Sequence, residues 1–228
     1  MSLQDEIKKF GYWDVSIRPA QFETSRIEYS ELEPIIHKNV VAIRGWDFPH
    51  VDRRQAPLRG IDWIGQDFSL GEYKEVWRFW QSGQFAFRSG FTVDWRLEIG
   101  PTHENNPFHA GDLLGVGDAL AHYLEFVLFA QGLSVSLPGR DDIVLGISAV
   151  GLSDRVLDLD SPRRAPFHQR YSATIPAFPQ VRTVKRDELA KDAPALAKEL
   201  ATSLFQRFGW TARPEILDGL LQELRWQG

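Results

Sequence analysis

Three polar side chains interrupt the most apolar stretch of the 228-residue chain: Asp118, His122 and Glu125 lie at i, i+4 and i+7. On a helix they share one stripe. A carboxylate–imidazole–carboxylate row can move protons, because a neighbouring carboxylate tunes the imidazole close to neutral pH. The same row also serves as a solvated helix face with the histidine paired to a neighbour. Arg44, Trp46, Asp47 and His50 form a second set within R-G-W-D-F-P-H. At the end of a strand they would line a pocket walled by Trp46 and Trp63. Alternatively, Arg44 and Asp47 make a structural ion pair under Trp46. His103, His109 and Asp112 are a third set, whose imidazole and carboxylate groups suit a loop-borne zinc or iron ion. Three ligand-type residues in ten positions also arise in any polar loop.

Residues 161–186 hold six Lys or Arg and no acidic residue. Arg163, Arg164, Arg170, Arg182, Lys185 and Arg186 are interleaved there with Phe167, Tyr171 and Phe178. Guanidinium groups bind phosphate in bidentate fashion and aromatic faces stack on bases, so Arg163, Arg164, Arg170, Arg182, Arg186 and Tyr171 form a candidate anion-binding surface. A solvated edge neutralised by the acidic helices that follow is the plainer reading. Phosphate-loop, metalloprotease and EF-hand signatures are absent. Gly115-Val-Gly117 opens a helix, but Leu120 stands where a dinucleotide fingerprint needs its third glycine; close packing explains the small residues equally well. No motif calls for a cofactor.

These side chains need a scaffold. Periodicity predicts short helices over 3–10 and 31–38, the latter with a Ser30/Glu33 capping box, and strands over 13–17 and 40–43. Tyr73, Val76, Trp77 and Trp80 recur at helical spacing and predict a helix over 71–81 closed by Gly83. Residues 84–95 alternate as a strand or hairpin bent at Gly90. Residues 100–110 are rich in turn formers and make the best boundary between a Trp-rich lobe (1–100) and a helix-rich lobe (110–228), if the single domain has two lobes. A central, mostly buried helix covers 112–131. Strands follow over 143–152 and 156–159, with an edge strand at best over 171–184 because of Pro176 and Pro179. Two helices, 194–208 and from 214 onward, close the chain. The expected class is α+β, with a mixed or antiparallel sheet, a central buried helix and two C-terminal helices.

Composition narrows the chemistry. The chain is 43% hydrophobic and 25% charged, which is a globular balance. Its net charge of −5 gives no global attraction to nucleic acid or an anionic membrane. It has no cysteine, so disulfides, thiolate nucleophiles and Cys-ligated metals are excluded. Residues 1–10 are charged and unlike a signal peptide, and the most apolar run is too short to span a bilayer. A cytoplasmic protein without membrane contact is expected.

The runs RGWDFPH, IDWIG, EVWRFWQSGQF, DSPRRAPF and RFGW resemble those of a group of uncharacterised bacterial proteins, over most of the chain. The resemblance implies a bacterial origin and transfers no catalytic residue. Some members of that group occur beside nucleic-acid-binding modules, which implies recognition. The leading expectation is a non-enzymatic recognition module with a protein, nucleotide or nucleic-acid partner. The alternatives are a metal-dependent or acid–base hydrolase acting on nucleotides or nucleic acid, and a structural subunit that forms a homodimer.

Overall fold

The computed structural model describes residues 1–99, 108–160 and 164–225. The protein is α+β, built on an antiparallel sheet of seven strands in the order β2-β3-β4-β5-β1-β7-β9. These strands are β1 (Tyr12–Pro19), β2 (Leu58–Arg59), β3 (Trp63–Leu70), β4 (Tyr73–Trp80), β5 (Phe85–Gly90), β7 (Ile143–Val150) and β9 (Ala177–Val184). A parallel pair, β6 (Leu113–Gly115) and β8 (Val156–Asp158), stands apart from it. The helices are α1 (Leu3–Ile7), α2 (Leu32–Asn39), α3 (Thr92–Ile99), α4 (Val116–Ser136), α5 (Arg186–Lys191), α6 (Ala193–Phe205) and α7 (Pro214–Arg225).

Helix α4 lies on one face of the sheet. Alternation in β1 turns Trp13, Val15 and Ile17 inward, beside Phe85 and Phe87 of β5 and Leu145 and Ile147 of β7. Tyr123, Phe126, Val127 and Phe129 of α4 meet them in a single hydrophobic cluster. Each large side chain withdrawn from water there contributes roughly 1.5–3 kcal/mol. Strand β1 pairs with β5 on one side and β7 on the other, so both halves of the sequence share this core.

The sequence misleads most over 71–81. Those residues are strand β4, joined to β3 through Gly71 and Glu72, with Leu70 opposite Tyr73. Gly71 has φ +56°, a conformation that costs glycine little and lets the chain reverse. Trp77 and Phe79 face the core, while Val76 faces away and is still buried, because α1 packs on β4 from the other side. A strand covered on both faces loses its alternation, and the apolar residues mimic a helical period. Phe91, Val93 and Trp95, expected in a strand, belong to α3 and the turn before it. Val40–Ile43 makes only an isolated bridge from Val41 to Phe48. Helix α2 lacks the expected capping box: Ser30 lies in a preceding 3-10 turn, and Glu33 pairs with Arg59. Among the described residues no helix is long and apolar enough to cross a membrane.

Candidate functional site

The segment after α2 carries Arg44 against helix α4, and two of the sets proposed from sequence meet there. Arg44 Nε donates to Glu125 Oε1 at 2.7 Å and Nη2 donates to Oε2 at 2.8 Å, a bidentate pair. Its Nη1 donates to Asp118 Oδ1 at 2.5 Å. Nη2 also lies 3.1 Å from the His122 ring nitrogens. With Nδ1 donating to the Asp118 carbonyl oxygen at 2.9 Å, Nε2 is left to accept from Arg44. Burial and the Arg44 charge hold the His122 pKa below the usual imidazole value, so the ring is neutral, and it stacks on Trp13. The stripe is therefore no solvated face: His122 and Glu125 are buried, Arg44 reaches all three side chains, and His122 is also bonded to its helix neighbour Asp118.

The rest of the second set surrounds another carboxylate. Trp46 stacks between His50 (4.2 Å between ring centres) and Tyr73 (4.1 Å). Its Nε1 donates to Glu75 at 3.1 Å, and the His50 backbone amide donates to the same carboxylate at 2.7 Å. Glu75 is 4% exposed, and burial, with Glu125 adding like charge, pushes its pKa up to about 7. Desolvation likewise lowers the His50 pKa. Asp47 points to solvent and makes no pair with Arg44.

A cavity of about 430 Å3 opens above Arg44. Its walls are Thr92, Val93 and Arg96 of α3, the β6 end, the first turn of α4, Asp158 and Asp160, and Leu220 and Glu223 of α7. The first turn of α4 is closed by Asp160, whose carboxylate accepts from the amides of Gly117 (2.6 Å) and Asp118 (2.9 Å). A Cβ on Gly115 would lie 2.3 Å from Asp160, which accounts for the glycine there: this helix end receives the protein's own carboxylate instead of a phosphate. Beneath the cavity, a chamber of about 20 Å3 reaches Glu75, Ser89, His122 and Glu125.

The other proposed residues lie apart from this cleft or hold the fold together. Arg164 pairs with Glu223 at 3.1 Å, and Arg182 pairs with Glu199. Arg186 donates to the carbonyls of Ser134, Leu137 and Asp141, closing the C-terminal end of α4. Tyr171 packs with Phe167 and Trp210, while Arg170 is exposed. Arg163 and His103 lie outside the described residues. Asp112 accepts from the His109 backbone amide at 2.7 Å, as in a turn, and the described residues hold no group of three or more His, Asp or Glu arranged for a metal ion.

Sequence reasoning missed Glu75, Ser89, Asp160 and a buried pair, Asp94–Arg155. Arg155 Nη1 and Nη2 reach the Asp94 carboxylate at 2.8 and 2.5 Å, and the Gly11 and Gly111 amides complete its shell. The signal for Glu75 was its place in a strand, which the helical reading of 71–81 hid. Asp160 and Asp94 carried no local signal, since their partners are distant in sequence. No protein-family model, curated protein or solved structure matches the chain.

Proposed function

We propose that the protein is a recognition module that holds a basic side chain of a protein partner in the cleft above Arg44. The cleft lining supports this: Asp158 and Asp160 face the cavity beside Asp118, and burial together with those neighbouring negative charges raises the Asp160 pKa to about 7, a strain that an incoming cation would relieve. Arg44 is already committed to Asp118 and Glu125, and Arg96 lies 3.5 Å from Glu72, so neither is a ready anchor for an anion. An incoming guanidinium or ammonium group would find carboxylates in a partly enclosed space, where charge pairing is stronger than in bulk water. The acid–base groups beneath support binding over catalysis. His122, Glu125 and Glu75 are buried and engaged with their own partners. The basic stretch offers less to nucleic acid than its composition suggests, because Arg164, Arg182 and Arg186 are held by the protein itself.

Calorimetric titration with hexa-arginine and hexaglutamate peptides tests the proposal. Hexa-arginine is expected to bind, more weakly as salt rises, and the Asp158→Asn variant to lose at least threefold in affinity. Asp158→Asn removes a cleft charge and leaves both bonds from Asp160 to the α4 terminus in place. Equal affinity for both peptides, or an unaffected variant, would overturn it.

A further inference from the structure

Helix α2 and the last turns of α4 form one surface, at the end of α4 opposite to the cleft. Gly132 lets the two helices approach, since a Cβ there would lie 2.5 Å from Asn39 Oδ1. Asn39 Nδ2 donates to Ser136 Oγ at 2.9 Å and to the Ile35 carbonyl oxygen at 2.7 Å, which ties the end of α2 to α4. Two adjoining hollows, of about 410 and 510 Å3, run along this surface and share Lys38 and Ser136. Ile35, Val40, Val41, Leu128 and Val135 supply apolar walls. Val135 is 75% exposed, although its neighbours are hydrophobic.

The charges on this surface are self-complementary. Glu31, Pro34, Ile35 and Lys38, at i, i+3, i+4 and i+7, make the outward face of α2. Glu31 and Lys38 are exposed, and among the described residues no side-chain hydrogen bond or ion pair engages either. They stand about 10 Å apart along the helix and make no bond to each other. Arg26, the other cation of the hollows, is held by Asp141 at 2.8 Å and the Pro138 carbonyl oxygen at 3.0 Å. Glu28 lies one turn before Glu31, outside the interval between the two free charges. Pro34 and Ile35 are midway between Glu31 and Lys38. A two-fold axis through that midpoint maps the face onto itself. A second α2 running antiparallel then sets its Lys38 against Glu31 and its Glu31 against Lys38, with Pro34 and Ile35 at the centre. We propose that a second copy of this chain covers this surface, in a two-fold dimer joined through antiparallel α2 helices and two Glu31–Lys38 pairs. The partner would shield Val135 and the apolar walls beside it. This dimer does not depend on what the cleft binds, because it uses the other end of α4.

Sedimentation equilibrium of the full chain at high micromolar concentration is expected to give twice the chain mass of 26.1 kDa. Glu31→Lys and Lys38→Glu each turn two attractions into two repulsions, and each is expected to weaken the dimer about tenfold. Both positions are exposed, so neither change disturbs the core. An equimolar mixture of the two variants brings a doubly positive face against a doubly negative one. Both attractions return, and heterodimers are expected at wild-type affinity. A monomeric wild type would overturn the proposal and leave the surface to a different partner. A dimer indifferent to either reversal, or variants that stay apart when mixed, would overturn it as well.

Discussion

Glu75 and Arg44 bear on stability in opposite ways, and each can be tested alone. The Glu75 carboxyl titrates at about 7 in the fold against 4.5 ordinarily. Between those values the folded protein keeps a proton that the unfolded chain has released, so this group lowers stability as pH rises through that window. Above about pH 7 the full cost is present, on the order of 3 kcal/mol. Glu75→Gln is expected to flatten this dependence, so that urea unfolding at pH 5 and pH 9 gives a smaller difference for the variant than for the wild type. Arg44 works the other way. Arg44→Met leaves Glu125 buried without its bidentate partner and is expected to cost about 3–5 kcal/mol in urea unfolding. Adding Glu125→Gln to Arg44→Met should recover much of that loss, because the stranded charge is removed. Sequence spacing correctly placed Asp118, His122 and Glu125 on one helix. It did not identify Arg44 as their counter-ion, since 74 residues separate it from Asp118 and no local pattern encodes such a pair.

Helix α4 is the element on which the cleft depends, and both its ends are closed from elsewhere in the chain. Asp160 holds the first turn and Arg186 the last. Asp160→Ala is expected to cost about 1 kcal/mol, and Asp160→Asn, which keeps one of the two accepting oxygens, about half of that, as measured by urea unfolding followed by circular dichroism. An Asp160→Ala variant as stable as the wild type would show that this contact does not hold the helix end. The long helix itself was legible, because an apolar run with few interruptions has no other stable home. The glycines at its start signalled close approach, but only the structure identifies the approaching group as Asp160. Strand β4 was not legible for a physical reason: Val76 is buried beneath α1 while Trp77 is buried against the core, so burial on both faces erased the period that marks a strand. The α2 start failed differently, since a 3-10 turn took up the residues whose spacing suggested a capping box.

For the molecule as a whole, the class was readable from the mixture of periodicities, whereas the strand order was not. Strand β1 at the N-terminal end lies between β5 and β7, a pairing set by matching inward faces more than a hundred residues apart, as for Val15 opposite Ile147. The Asp94–Arg155 pair adds a buried link between residues 61 apart in sequence, from α3 to the loop before β8. Charge behaves likewise at this scale. The basic run 161–186 stood out in sequence, yet folding matches Arg164 and Arg182 to acidic partners, and Asp158 and Asp160 bring acidic groups to the cleft beside the first turn of α4. That reversal, from a basic surface to a carboxylate-lined cleft, underlies the proposed recognition of a basic side chain. Backbone amide spectra of the labelled protein, titrated with a hexa-arginine peptide, test it most directly. Shifts concentrated at Thr92, Val93, Asp118, Asp158 and Asp160 are expected. Shifts concentrated elsewhere on the surface, or none at saturating peptide, would contradict it.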